Sequence, residues 1–91
     1  MARIVKAKPT GFKLYAPQAK RVSLVGDFNN WDTSALSAKK DSRGNWAVEI
    51  KLKPGKYQYK FFVDGSWVND PRCSTYVTNS FGSQNSVVEV K

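Results

Sequence analysis

Lys60, Phe61, Phe62 and Val63 run into Asp64-Gly65, and Trp67 follows two residues later. An ammonium group packed among aromatic rings offers one kind of chemistry: flat, polarizable area for stacking, with a strong hydrogen-bond donor beside it. A ligand with an apolar ring face edged by hydroxyls suits that set. Trp31 adds a second candidate platform at the end of Asp27-Phe28-Asn29-Asn30-Trp31. The polar stretch around it supplies no obvious core partner for an indole, which favours an outward, ligand-facing role over edge packing.

Reaction chemistry is poorly supplied. Histidine is absent and Cys73 is the single cysteine, so a disulfide within the chain and a cysteine-based metal site are excluded. The seven carboxylates have structural explanations. Asp64 is a turn residue, Asp70 precedes Pro71, and Glu49 projects from an amphipathic strand, where it could pair across with Lys60 as the alternative to a ligand role for that lysine. No nucleophile, phosphate-loop or zinc-protease motif occurs. The chain is therefore expected to be no enzyme, with no cofactor, no metal and no catalytic residue.

Fifteen Lys and Arg against seven Asp and Glu give a net charge of +8. Basic charge with aromatics on a β-surface also suits single-stranded nucleic acid. The basic residues are dispersed, however, with Lys20-Arg21 and Lys39-Lys40 as the tightest clusters, which favours a solvated surface over a nucleic-acid track. No apolar run reaches membrane-spanning length, and Met1-Ala2-Arg3 opens no secretory core. A cytoplasmic location without membrane contact is expected.

The elements that must position these residues are strands. Apolar residues alternate at Phe12, Leu14 and Ala16, at Val22, Leu24 and Gly26, at Trp46, Val48, Ile50 and Leu52, and at Tyr57, Tyr59, Phe61 and Val63. A final strand spans Ser86 to Lys91. Polar loops are expected from Asn29 to Gly44 and between Asn69 and Asn85. Pro54-Gly55 reads as a turn joining two hydrogen-bonded strands; Leu52 opposite Tyr57 puts both apolar rows on one face, and a slip by two residues does so equally. Asp64-Gly65 as a two-residue turn puts Val63 opposite Ser66, Phe62 opposite Trp67 and Lys60 opposite Asn69. Tyr57, Tyr59, Phe61 and Val63 then face the core, while Lys60, Phe62, Trp67 and Asn69 share the other face. The expected fold is an all-β sandwich of two antiparallel sheets, with Phe12, Leu24, Trp46, Ile50, Tyr59 and Phe61 in its core.

Four ordered segments carry a family resemblance: VSLVGDFNNW (22–31), YKFFVDGSW (59–67), NDP (69–71) and NSFGSQNSVVEV (79–90). Together they resemble the glycogen-binding domains of the AMP-activated protein kinase β-subunit. They are also similar to the amino-terminal modules of glycogen branching and debranching enzymes, the family-48 carbohydrate-binding modules or isoamylase N-terminal-like domains. The resemblance covers residues 11–91 and leaves 1–10 as an unmatched segment, a candidate edge strand. It implies an immunoglobulin-like β-sandwich that binds α-1,4-glucans such as glycogen, starch and maltooligosaccharides without cleaving them. By the family's pattern Trp31 and Trp67 stack on glucose rings, and Lys60 and Asn85 bond sugar hydroxyls. Phe81, at a position where leucine is common, packs against the sugar, and Ser83 meets a neighbouring hydroxyl. A regulatory module for a glucan-metabolising enzyme or kinase is the alternative the same resemblance implies.

Overall fold

Alternation of apolar and polar residues gives each strand one face that must be covered, and two sheets meet that requirement by facing each other. The computed structural model describes residues 7–91. Its strands are β1 (Lys8–Tyr15), β2 (Val22–Gly26), β3 (Lys39–Lys40), β4 (Asn45–Leu52), β5 (Gly55–Val63), β6 (Ser66–Val68), β7 (Tyr76–Thr78) and β8 (Gln84–Val90). One sheet has the order β1-β4-β3; the other runs β2-β5-β8-β7, with β6 also paired to β5. Every pairing is antiparallel. Of the amino-terminal segment 1–10, residues 1–6 lie outside the described part, and Lys8 already pairs with Leu52.

Phe12 from the first sheet meets Tyr59 from the second edge-on, with ring centroids 4.9 Å apart. Leu24, Phe61, Leu14, Trp46 and Leu52 complete the buried centre, and Ile50 packs against it half-buried. Trp46 is a core residue, as expected from its alternation, and its indole N–H donates to the Ala16 carbonyl at 2.9 Å.

The Pro54-Gly55 segment does not close a hairpin. Leu52 lies opposite Lys8 in one sheet, whereas Tyr57 lies opposite Val88 in the other. Residues 53–54 carry the chain across the sandwich, and the Tyr57 hydroxyl donates back to the Lys53 carbonyl at 2.6 Å. Both apolar rows do reach one core, but from opposite sides. Glu49 consequently stands opposite Gly11, in the sheet that does not contain Lys60, so the alternative of a cross-strand Glu49–Lys60 pair is ruled out.

The stretch expected as polar loop from Asn29 to Gly44 contains a second crossing. Ser37 bridges Ser23, flanked by hydrogen bonds from Leu24 N–H to Leu36 and from Ala38 N–H to Val22, both 2.8 Å. Lys39 and Lys40 then pair with Ala47 and Trp46 of β4. Leu36 and Ala38 turn inward against the core.

Asp64-Gly65 behaves as its sequence requires. Both residues have positive φ (47° and 85°), and Val63 opposes Ser66, Phe62 opposes Trp67 and Phe61 opposes Val68. β6 ends at Val68, so the expected Lys60–Asn69 pair falls beyond the ladder. The Asp64 carboxylate accepts hydrogen bonds from the backbone N–H groups of Lys20 and Arg21, which anchors the hairpin to the β1–β2 connection.

Candidate carbohydrate-binding site

The outer face of the second sheet holds a cleft of about 560 Å³ lined by Trp31, Lys60, Trp67, Phe81, Ser83 and Asn85, with Asp27, Gln58, Asn79 and Ser80. The residues nominated from sequence thus share one cavity. Its supports come from three local devices.

The first is the GDFNNW segment. β2 ends at Gly26, where a Cβ would stand 2.5 Å from the Gln58 carbonyl oxygen and 2.8 Å from Tyr59 Cβ, so only glycine lets the strands approach. Phe28 packs against the core, and the Asn29 side chain accepts from Gly26 N–H and donates to the Leu24 carbonyl. Asn30 and Trp31 are both left-handed (φ 55° and 58°), a conformation that disfavours a bulky side chain. Two local bonds hold Trp31 there. Its backbone N–H donates to the Gly26 carbonyl at 3.0 Å, and its indole Nε1–H donates to Asp27 Oδ1 at 3.0 Å. The other Asp27 oxygen accepts from Gln58 N–H at 2.8 Å, just past the last β2–β5 pair, Gly26–Tyr59.

The second device is the β5–β6 hairpin. Trp67 is 48% exposed, its ring centroid 4.8 Å from Phe62 and 6.2 Å from Trp31. The two indole planes are inclined at 63°, so together they form a bent platform. Lys60 lies on the same face, only 8% exposed, beside the fully buried Val25 opposite it on β2. Its Nζ donates to Ser83 Oγ at 3.1 Å, which leaves further ammonium donors for a ligand.

The third is the turn between β7 and β8. Asn79 accepts at Oδ1 from the N–H groups of Phe81 and Ser83, and its Nδ2 donates to Ser83 Oγ (2.9 Å) and Asn85 Oδ1 (3.0 Å). This knot holds Phe81 out at 92% exposure. Asn85 is 7% exposed, and its amide also donates to Gln58 Oε1 at 3.0 Å. Most of its bonding is internal, so Asn85 supports the cleft floor as much as it presents a polar group.

Deeper still, Asp70 locks the preceding loop. Tyr59 O–H donates to Asp70 Oδ2 (2.7 Å), Arg72 N–H to Oδ1 (2.9 Å), Asp70 N–H to Ser86 Oγ (3.0 Å) and Tyr76 O–H to the Asp70 carbonyl (2.7 Å). Burial first, then the Asp70 bond, pushes the Tyr59 phenol far above its ordinary range. The stretch expected as plain loop between Asn69 and Asn85 therefore contains a buried polar anchor and strand β7.

Sequence reasoning missed Asp27, Gln58 and Asn79. Asp27 stood within a quoted motif, but a carboxylate that orients an indole has no signature in residue type alone. The cleft has one carboxylate among its lining residues, and it is engaged by Trp31 and Gln58. Glycoside hydrolysis of the usual kind needs two carboxyl groups across the bond, and this lining supplies one.

Comparison with known proteins gives a consistent family. A profile described as the glycogen recognition site of AMP-activated protein kinase matches residues 8–91. The chain is 40% identical over 86 residues to the 5'-AMP-activated protein kinase subunit beta-1 of Rattus norvegicus, covering 94% of this chain and 30% of the relative. It is 41% identical to the Bos taurus beta-1 subunit and 38% to the Mus musculus beta-2 subunit over the same shares. The chain thus spans about a third of the length of these relatives.

Proposed function

Because this chain belongs to the family of glycogen recognition sites of AMP-activated protein kinase, we propose that it is a non-catalytic module that binds α-1,4-glucans on the bent platform of Trp31 and Trp67. The observation that carries the reading is the convergence of two indoles and a largely buried lysine on one cleft. Stacking on C–H faces needs exposed ring area, which Trp67 and Phe81 supply. Hydroxyls around each sugar need donors and acceptors, which Lys60, Ser83 and the rim amides supply. The 63° inclination matches a chain that curves, as α-1,4-linked glucose does, better than a flat ribbon. Lys60 and Asp27 offset each other in charge within the cleft, which gives a polyanion no electrostatic footing there.

Affinity electrophoresis in gels with and without glycogen tests this. The wild type should be retarded, and Trp67→Ala should run freely while keeping its circular dichroism spectrum and unfolding temperature. Equal retardation of the two proteins refutes the platform. The relatives are subunits of a kinase, which supports a regulatory setting in which the module brings a kinase to glucan. Co-purification of the full-length protein with a kinase subunit, retained on glycogen resin and lost with Trp67→Ala, tests that setting.

A further inference from the structure

The outer face continues past the cleft. Trp67 lies opposite Phe62, Phe62 opposite Ser23, and Ser23 opposite Ser37. Paired residues of adjacent antiparallel strands point to the same side, so these four form a single row across the sheet. Adjacent strands are about 4.8 Å apart, which makes the row roughly 14 Å long. The hydrogen bonds flanking Ser23 and Ser37 mark them as a non-hydrogen-bonded pair, the closer of the two antiparallel arrangements, which sets their hydroxyls side by side. Inward positions of Leu36 and Ala38 on either side of Ser37 keep its side chain outward.

This half of the row lies in a second groove of about 750 Å³, lined among others by Ser23, Thr33, Ser34, Ser37 and Phe62. Four hydroxyls and the Phe62 ring line it beside the row, with Lys20, Arg21 and Asp64 also among its lining residues. Phe62 is the joint between the two cavities: it lines the groove, and its ring centroid is 4.8 Å from that of Trp67, which lines the cleft. A ligand stacked on Trp67 therefore meets Phe62 next and the serine pair after it, with no change of face. Hydroxyls that both donate and accept suit a polyhydroxylated chain.

We infer that this groove is a second carbohydrate subsite, in which further glucosyl units of the chain stacked on Trp67 run over Phe62 and bond Ser23 and Ser37. The inference rests on the glucan-binding reading above and extends it to chain length: longer maltooligosaccharides bind more tightly because they reach the serine pair. One additional hydrogen bond of ordinary strength gives about a fivefold gain in affinity.

Two measurements on the whole chain separate this subsite from the platform. In an NMR titration of the wild type, maltotriose should shift the indole and Lys60 signals, while maltoheptaose should shift the Ser23 and Ser37 amides as well. In calorimetry, Ser37→Leu should leave maltotriose affinity unchanged and lower maltoheptaose affinity about fivefold, removing the preference for length. Binding of both sugars with the Ser23 and Ser37 amides unmoved overturns the subsite and leaves the platform standing. A length preference that survives in Ser37→Leu does the same. Failure of both sugars to bind the wild type overturns the platform and the subsite together.

Discussion

Asp27 is not among the residues expected to contact sugar, yet its removal should weaken glucan binding. Its two oxygens do separate work: Oδ1 fixes the Trp31 indole at 3.0 Å, and Oδ2 caps Gln58 N–H at 2.8 Å where β2 leaves the sheet. In Asp27→Ala both donors turn to water. The carboxylate is exposed, so each bond is discounted for solvent competition, and together they amount to about 1–2 kcal/mol of folding stability. For a domain of this size that lowers the unfolding midpoint by roughly 5–10 °C. The second consequence is specific to function. Trp31 sits in left-handed backbone with its ring orientation set by Asp27, and without that bond half of the platform becomes mobile. Loss of one oriented ring, worth about 1 kcal/mol, reduces glucan affinity about fivefold. Asp27→Asn retains the shape but can accept only one of the two bonds, so it should fall between wild type and Asp27→Ala. Calorimetry with maltoheptaose reads the affinity, differential scanning calorimetry the midpoint, and tryptophan emission the exposure of the indole. An Asp27→Ala protein with wild-type affinity and unchanged emission refutes the positioning role, whatever its stability.

Lys60→Met keeps the stem and deletes the charge; glucan affinity should drop about tenfold, since bonds from charged donors are the stronger ones, with little change in unfolding temperature. A variant that binds normally removes the ammonium from the site. Trp46→Ala opens a cavity in the core and strips a buried hydrogen bond, at a cost of about 3–5 kcal/mol, and chemical denaturation should show a domain largely unfolded at 37 °C. Tyr59 gives a pH test. Its folded-state pKa is raised, so the native state keeps a proton that the unfolded chain releases above about pH 10. The stabilisation is complete below that pH and is lost as pH rises further. Alkaline absorbance titration should show the Tyr59 phenol ionising last, with unfolding, and Tyr59→Phe should lack that step; an unchanged curve contradicts the Asp70 lock.

Much of this molecule could be read from residue order because the relevant interactions are local. Period-two alternation decides which side of a strand is buried, and Asp64-Gly65 decides the register of the strands it joins. Those two facts put Lys60, Phe62 and Trp67 on one outer face before any tertiary contact is known. Its polar surroundings marked Trp31 as outward, the resemblance then brought in Phe81, Ser83 and Asn85, and the folded chain gathers all four into the same cleft.

Sheet membership was not legible. Leu52 and Tyr57 satisfy one apolar pattern equally well as neighbours in a hairpin or as facing residues of opposed sheets, because alternation specifies the direction of burial and not the partner. Only the whole fold, in which β4 lies between β1 and β3 while β5 lies between β2 and β8, selects the second solution. That choice also separates Glu49 from Lys60 and leaves the lysine to Ser83. The orienting groups follow the same logic. Asp27 to Gln58 and Tyr59 to Asp70 are bonds between segments that meet only after the sandwich closes. Sequence determined which faces this chain would present; tertiary packing decided which strands lie side by side and which polar groups hold the binding rings in place.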